Sequence, residues 1–398
     1  MAQGNVNISL GSGNLGSVLA TQDGIAGFEL TGASNGSVVT GTPFGPVTSL
    51  ADAVAYGLTL ASNPFAYKVV KEFYETTEAM GKLRAQLYLL VVPNTVTVAN
   101  MADSSNANSA KKLLDYAGGK IRLLGLMYDA AVDGALTTTA GMDSLVYTAA
   151  SSAQAMATSY AAAQKPFRFI IGATAVGHSA GTPAALNVAN LTDMTGSTHT
   201  RGGIFIGDTD ALGDAALGIP IGRLAANPVQ RKMGRVRDGA LVPTAMYIGT
   251  TDVSQFTGQD TLHDKAFMYV RTFPNKNGYY LGKDQTCTAT TSDYHLLARG
   301  RVIDKAQIIA YAYFADSLED EVPVIEGGFI EPGFAATLEA GIIQAINLTM
   351  VANKECQAVA CTIDKAWNVT STDKVKGVLR VRPVGYSSDI DIDLGFML

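Results

Sequence analysis

Charged side chains are scarce in this sequence. Asp, Glu, Lys and Arg make up 16% of the 398 residues, against roughly 25% in an ordinary soluble domain. A monomer must solvate its whole surface, so a chain short of charge can leave more of that surface for contact with copies of itself. A large α/β core dilutes charge as well, and apolar residues, at 47%, are abundant enough to build one. The composition therefore permits self-association without requiring it.

Several classes of protein are disfavoured by other things that the sequence lacks. No run of Lys or Arg forms a basic stripe and the net charge is −6, so we expect no direct contact with nucleic acid. No apolar run reaches the roughly 18 residues that a membrane span needs, so we expect no membrane insertion. The first ten residues lack the charged and apolar regions of a signal peptide, which favours synthesis in a cytoplasm.

Metal and cofactor sites have little support in the residue types present. The sequence contains only three cysteines, Cys287, Cys356 and Cys361, and their spacing fits no zinc site. Because the number is odd, we expect reduced, buried thiols in a reducing compartment. The four histidines form no i, i+4 pair on a helix, and no G-x-x-x-x-G-K-[ST] phosphate loop occurs. We therefore expect no metal and no cofactor.

Apolar patterning predicts an α/β body over residues 25–230. Ser49 can cap one helix, Pro64 opens a second, and a longer third begins at about Asp143. Strands that alternate with such helices indicate a mostly parallel or mixed sheet with helices on its faces. The stretches that we expect to be strands are Leu83–Val92, Lys120–Tyr128, Phe167–Ala173 and Gly202–Gly207.

The second half of the sequence predicts a smaller α+β region over residues 231–375. Asn277-Gly278 stands between two strand-like stretches, which is a hairpin signal. Helical spacing follows from Val302 to about Asp320 and again from Pro332. Three later stretches are predicted to be strands: 357–363, 375–384 and 388–397.

One motif suggests an enzyme. GHSAG, Gly177 to Gly181, matches the nucleophile elbow of α/β-hydrolases, which places a serine on a strained turn between a strand and a helix. Ser179 would then need a later acid and a later His. However, several residues separate it from the preceding strand, Pro183 makes a poor start for a helix, and no His lies near the C-terminus. A loop of small residues is the favoured interpretation, and a serine hydrolase that uses Ser179 is the alternative function.

Two further motifs fit a structural role better than chemistry. GSGNLG, residues 11–16, has the spacing of a dinucleotide-binding loop, but a turn at Asp23 interrupts the helix that such a fold requires. Asp389, Asp391 and Asp393 spell D-x-D-x-D, but the Gly and Glu of a calcium loop do not follow. They alternate with apolar residues, which is typical of a strand with acids on one face.

Both ends of the chain carry a strand-like alternation next to glycine. A terminal strand must pair its N–H and C=O groups within its own fold or with another chain. Repeated head-to-tail exchange of such a strand produces an open helical polymer. Pattern alone leaves both possibilities open. The apolar members of the two segments are Val6, Ile8 and Leu10 at the front and Ile390, Ile392 and Leu394 at the back.

Long stretches of the sequence resemble contractile phage tail sheath proteins, in particular a small sheath-like family of phages and prophages. The most specific stretch is TSDYHLLARGRVIDKA, residues 291–306, where a strand leads into a helix with polar Arg301, Asp304 and Lys305. Other stretches that carry the resemblance are PVTSLADA at 46–53, KEFYETT at 71–77, KLLDYAGGKIRLLG at 112–125, NPVQRKMGRVRDG at 227–239, NGYYLGKDQTCTAT at 277–290 and RVRPVGYSSDIDIDLGF at 380–396.

The resemblance implies a structural subunit with no enzymatic activity. Sheath subunits stack as hexameric rings around an inner tail tube protein, beside baseplate and tail terminator proteins, and shorten on triggering to drive the tube through a cell envelope. Carried onto this chain, the N-terminal strand arm and hinge would be residues 1–24 and the C-terminal strand arm residues 376–398. Both arms would be exchanged between subunits, the first through Val6, Ile8 and Leu10 and the second through Ile390, Ile392 and Leu394. The resemblance places the protein in a virion tail, assembled in the cytoplasm of a bacterial host.

Overall fold

The computed structural model describes residues 23–129, 138–179, 181–388 and 390–394. These residues form two compact units, the first up to Ile308 and the second from Ile309 onward. One helix, Leu297–Ala315, contains the boundary between the units.

The described part of the first unit contains twelve strands, most of them short. Their bounds are β1 Ala26–Thr31, β2 Pro43–Val47, β3 Leu87–Val92, β4 Leu123–Met127, β5 Arg168–Gly172, β6 Thr198–His199, β7 Gly202–Ile206, β8 Tyr247–Ile248, β9 Thr251–Asp252, β10 Met268–Phe273, β11 Lys276–Leu281 and β12 Cys287–Thr288. Eight of them build one sheet in the order β11-β10-β7-β5-β4-β1-β3-β2.

The middle of this sheet is parallel and fully buried. β1 pairs in parallel with both β3 and β4, and β4, β5, β7 and β10 continue in parallel. Every residue of β1, β3, β4, β5 and β7 is buried, as expected for strands covered on both faces. The two edge strands, β2 and β11, are antiparallel to their neighbours. The predicted mixed sheet flanked by helices is therefore confirmed.

Helices cover both faces of the sheet. Their bounds are α1 Leu50–Tyr56, α2 Pro64–Ala79, α3 Val98–Ala102, α4 Lys111–Tyr116, α5 Ser144–Ala162, α6 Gly218–Ala226, α7 Gln259–Asp264 and α8 Leu297–Ala315. In β1, Phe28 packs edge-on against Phe73 of α2, whereas a Cβ on the preceding Gly27 would meet Leu113 of α4. Because adjacent strand residues point to opposite faces, α2 and α4 lie on opposite sides of the sheet.

Local signals fix several helix starts where the sequence predicts them. The Ser49 hydroxyl accepts a hydrogen bond from the Asp52 N–H at 3.1 Å and caps α1. Pro64 occupies the first turn of α2, where its missing N–H costs nothing. The Asp143 carboxylate accepts from the Leu145 N–H and caps α5.

Two details of the middle of the chain differ from the prediction. Residues 268–281, assigned above to the C-terminal region, supply β10 and β11 of the main sheet, because Met268 pairs with Phe205 of β7. The hairpin that they form turns at Pro274-Asn275 instead of Asn277-Gly278. Phe273 pairs with Lys276, and Asn275 has a φ of 61°, the left-handed conformation that such a tight turn requires.

The second unit is smaller and contains α and β elements in separate stretches. Its bounds are β13 Val324–Ile325, β14 Phe329–Ile330, α9 Pro332–Ile346, β15 Ala358–Ile363, α10 Val369–Thr372 and β16 Gly377–Arg382. A π-helical turn, Asn347–Val351, continues α9. Its small core contains Ile330, Ala335, Leu338 and Ile363.

One helical stretch meets the length and composition criteria for crossing a membrane. Pro332–Val351 has a mean hydropathy of 1.4 over its most apolar part, although the sequence shows no unbroken apolar run of that length. Its exposed positions include Thr337, Gln344 and Asn347, which are polar side chains that a lipid-facing surface would exclude. Core helices of soluble proteins meet the same criteria, so this helix is weak support for a membrane span.

Candidate assembly site

The part of the predicted C-terminal strand that the structure describes beyond Ser388, residues 390–394, forms no strand with its own chain. Residues 390–394 have no secondary structure. Ile390, Ile392 and Leu394 expose 74%, 79% and 91% of their surface. Three large apolar side chains in a row of five residues are thus left in solvent in the single chain, which is unfavourable unless another surface covers them. Val6, Ile8, Leu10 and Asp389 lie outside the described residues.

An open strand edge lies in the same unit. β15 and β16 form a two-stranded antiparallel sheet, and in the described chain no third strand joins them. Next to this ladder, the Asp364 N–H donates to the Lys376 C=O. Backbone groups alternate in direction along a strand, so even-numbered residues of β16 face β15. The N–H and C=O groups of Leu379 and Val381 therefore point to the outer side of β16, which we term the open edge.

The two faces of this hairpin differ in chemistry. Cys361 pairs with Leu379, and these side chains are on the face toward α9, which packs against β15. Arg380 and Arg382 alternate with them and are exposed on the other face. β16 therefore has apolar residues on its inner face and cations on its outer face.

A groove of about 900 Å³ lies beside the inner face. It is entirely within the second unit, and most of the side chains that line it are apolar. Val378 at its rim is 49% exposed and Leu318 is 68% exposed, so the groove is open to solvent. The residues that line it include Val322, Phe334, Leu338, Cys361, Val369 and Leu379.

Arg301, Asp304 and Lys305, the polar residues of the helical part of the stretch 291–306, are buried in the first unit, which sequence reasoning did not foresee. The Arg168 guanidinium at the start of β5 donates to both carboxylate oxygens of Asp304, at 2.6 and 2.8 Å, and the Arg201 guanidinium donates to the same carboxylate at 3.2 Å. The Lys305 ammonium is 2.6 Å from the Asp23 carboxylate. The only signal in the sequence was the R-x-x-D-K spacing, which places all three polar groups on one side of a helix.

A second buried polar cluster lies between α2 and the loop after β7. The Lys68 ammonium is 3.2 Å from Asp208 and 2.8 Å from Asp210. One oxygen of Glu72 accepts from the Thr209 hydroxyl at 3.1 Å. Burial raises the pKa of Glu72 to about 7, and the nearby Lys68 opposes the shift. This cluster holds the loop against α2 with more acids than bases.

The GHSAG motif does not form a nucleophile elbow. Ser179 is exposed and lies in a short turn that its N–H closes by donating to the Thr182 C=O at 2.9 Å. The next helical element after β5 is a single 3-10 turn, Val188–Asn190, where an elbow requires a helix. The neighbouring His178 ring bonds to the Leu212 C=O and not to Ser179. No hydrogen bond of the described residues joins the Ser179 side chain to a histidine.

No metal-binding group of three His, Cys, Asp or Glu side chains occurs in the part of the chain that the structure describes. The three cysteines are not joined by disulfides, and burial raises the pKa of Cys287 to about 12. A thiol with such a pKa is protonated at neutral pH and unreactive.

Solved structures of contractile injection systems share this fold over the whole chain. A chain of the 6-fold symmetrised baseplate of the anti-feeding prophage is 11% identical, with a TM-score of 0.60 and 100% of both chains covered. A chain of the contracted helical sheath of the anti-feeding prophage is 11% identical, with a TM-score of 0.63 and 99% of both chains covered. A chain of the contracted PVC sheath complex, an extracellular contractile injection system, is 11% identical, with a TM-score of 0.61 and 99% and 98% covered. The predicted likeness to contractile sheath proteins is confirmed at the level of the fold.

No curated protein sequence matches the chain. Two family models together match nearly all of it: DUF2586, N-terminal domain, over residues 3–285, and DUF2586, C-terminal domain, over residues 293–398. The chain therefore belongs to the DUF2586 family.

Proposed function

We propose that the protein is the subunit of a contractile tail sheath. It polymerises as stacked hexameric rings around an inner tail tube, between a baseplate and a tail terminator, in the tail of a phage or of a related injection particle assembled in a bacterial cytoplasm. The observation that carries the proposal is the fold likeness to two contracted sheaths and a baseplate, which extends over 99–100% of this chain. A likeness limited to one domain would support only a shared module.

In this function the protein needs no catalytic group. Contraction requires rigid bodies that exchange one set of subunit contacts for another, so the free energy comes from the lattice. The exposed turn at Ser179 agrees with a protein that acts through its surfaces.

The subunits are linked, in our proposal, by exchanged strands. The last part of the C-terminal arm, residues 388–398 of one copy, adds to the open edge of β16 in a neighbouring copy. Backbone hydrogen bonds to Leu379 and Val381 supply the link, and side chains alternate between the two faces of the sheet. The N-terminal arm, through Val6, Ile8 and Leu10, pairs in the same manner with another neighbour.

The alternation of the arm matches that of β16. Residues opposite each other on paired strands share a face. If Ile392 lies opposite the inner residues of β16, it faces the apolar groove, and burial of such a side chain contributes roughly 1.5–3 kcal/mol. Asp391 and Asp393 then face outward, beside Arg380 and Arg382. This pairing would give alternate apolar and ionic contacts in a single register.

The proposal is tested by reversing the outer charges. Arg380→Asp with Arg382→Asp should leave a folded protein that forms few or no tubes by negative-stain electron microscopy, because like charges then oppose each other. Combining it with Asp391→Arg and Asp393→Arg should restore the tubes. The control is Lys354→Asp with Lys365→Asp, two exposed cations of the same unit that are not on β16.

Removal of the arm tests strand exchange itself. A chain without residues 388–398 should remain folded and monomeric, since Ile390, Ile392 and Leu394 make no contribution to the core of their own chain. Normal tubes from this truncated chain would show that the arm does not link the subunits. Normal tubes from the charge-reversed chain would show only that the register is different.

A further inference from the structure

Asp23, the first described residue, is held by two cations of α8. The Lys305 ammonium is 2.6 Å from the Asp23 carboxylate, and the two side chains are 7% and 18% exposed. The Arg301 guanidinium donates to the Asp23 C=O at 3.4 Å and to the Asn227 C=O at 3.2 Å. Both the side chain and the backbone of Asp23 are therefore bound to the same helix.

The next residue is confined as well. The Lys82 ammonium donates to the Ala225 C=O at 2.6 Å, and Gly24 lies against this pair. A Cβ on Gly24 would be 2.2 Å from the Ala225 oxygen and 2.3 Å from the Lys82 nitrogen. Because the Ala225 oxygen belongs to the backbone, a side chain at position 24 would displace the chain, and this close approach therefore requires glycine.

Stability alone is a poor explanation for the buried pair of Asp23 and Lys305. Well-packed apolar residues often replace a buried ion pair at no loss of stability, whereas the pair strongly restricts where the two groups can lie. A charged contact at the start of a strand therefore fixes position and direction more than it stabilises the core.

The strand that follows is well suited to bear load. β1 is an interior strand, paired along its length with β3 on one side and β4 on the other. A pull along β1 from its N-terminus loads both ladders at once, whereas a pull sideways would open them one hydrogen bond at a time. The direction in which the chain enters β1 thus determines how much pulling force the sheet can withstand before β1 separates from β3 and β4.

We propose that Asp23, Gly24, Arg301 and Lys305 form an anchor that fixes the position and direction in which the chain enters β1. The anchor transmits tension from the N-terminal arm into β1 and α8 when the subunits of the sheath move. Its part in assembly rests on the proposed sheath function, whereas its effect on Asp23 does not.

Hydrogen exchange of the full-length protein under conditions that keep it monomeric tests the anchor directly. Lys305→Met should speed exchange in peptides covering Asp23 to Gly27 at least about tenfold, which corresponds to about 1.4 kcal/mol. Exchange in β3 and β5 should not change. The matched control is Gln307→Met on the same helix, which removes hydrogen bonds to Ala161 and Gln164 and should leave these peptides unchanged.

The double variant Asp23→Lys with Lys305→Asp swaps the two charges and should return hydrogen exchange to near the wild-type rate. If Lys305→Met does not fold, Asp23→Asn provides a second single variant. Unchanged exchange in the folded single variants would overturn the anchor. In sedimentation, Lys305→Met should form shorter and fewer tubes than Gln307→Met. Equal assembly despite faster exchange would refute the load-bearing role. A wild-type protein that never polymerises would contradict the sheath function. The hydrogen-exchange measurement on the monomer would still show whether Lys305 holds Asp23 in place.

Discussion

Glu72 is a buried carboxyl of the first unit whose ionisation should lower the stability of the folded state. Its carboxyl is 8% exposed, and burial raises its pKa to about 7. In the unfolded chain its pKa is about 4.3. Between these values the folded state binds more protons than the unfolded state, so the free energy of unfolding falls as pH rises from about 4 to about 7. Above about pH 7 the carboxyl is ionised in both states, so the free energy of unfolding stays lowered by the full cost of burying the charge.

Glu72→Gln should therefore stabilise the protein at pH 8, because it removes the charge and retains an acceptor for the Thr209 hydroxyl. At 1.36 kcal/mol per pKa unit the upper limit of the gain is about 4 kcal/mol. Thermal unfolding between pH 5 and pH 8 should show a smaller loss with pH than the wild type. Some dependence should persist, because burial also raises the pKa of Asp214 to about 7.

The control for this prediction is Glu75→Gln on the same helix. Glu75 is 45% exposed and forms only a 3.6 Å surface pair with Lys71, so its replacement should change stability by less than about 0.5 kcal/mol. If Glu72→Gln were destabilising at pH 8, the buried carboxylate would be needed by Lys68, and our description of this cluster would be wrong.

Gly300 shows how tightly the buried ion pair of α8 is packed. A Cβ at this position would lie 2.3 Å from the central carbon of the Arg168 guanidinium. Helix propensity alone favours alanine by about 1 kcal/mol. Displacing Arg168 would nevertheless disturb its contacts with Asp304, and overpacking of this kind costs about 1–3 kcal/mol.

Gly300→Ala should therefore lower the free energy of unfolding by roughly 2 kcal/mol, measured by chemical denaturation. Gly196→Ala is the comparison, since a Cβ there would have no neighbour within 4 Å. A stabilising Gly300→Ala would mean that helix propensity outweighs the packing of Arg168.

At the scale of elements, the main sheet was predictable from sequence because its signals are local. The sheet contains short, largely apolar runs such as Leu87–Val92 and Arg168–Gly172. The helices between the strands have recognisable starts, since Ser49 and Asp143 cap two of them and Pro64 begins a third. Such runs indicate burial on both faces without knowledge of the partner strand.

Features that depend on distant contacts were not predictable. Asn277-Gly278 has the strongest local turn signal, yet the pairing of Phe273 with Lys276 places it inside β11. The burial of Asp304 depends on Arg168, which is 136 residues away in sequence. Neither contact leaves a trace in the local pattern.

The C-terminal segment shows a different limit. Its alternation predicts a strand, and over residues 390–394 the isolated chain contains none. A strand forms only where an edge is available, so a correct local pattern can remain unpaired until another chain provides the partner. The proposed partner strand, β16, also shows an alternation in the sequence, in which the apolar Leu379 and Val381 alternate with the cations Arg380 and Arg382.

At the scale of the whole molecule, the proposed function explains why the sequence contains few charged residues. A subunit that is surrounded by copies of itself needs few charges for solubility and retains those that set register or hold the chain in place. The ion pairs between Arg168 and Asp304 and between Lys305 and Asp23 are largely shielded from solvent, and the cations of β16 are on the exposed outer face of the hairpin.

The most direct test of this account is a cryo-EM reconstruction of the polymerised full-length protein. The account predicts a hollow helical tube of stacked six-membered rings, in which a third strand containing Ile390, Ile392 and Leu394 lies along β16 and continues into the body of a different subunit. A particle that remains monomeric at high concentration, or a tube in which that third strand connects back to the same subunit, would contradict it.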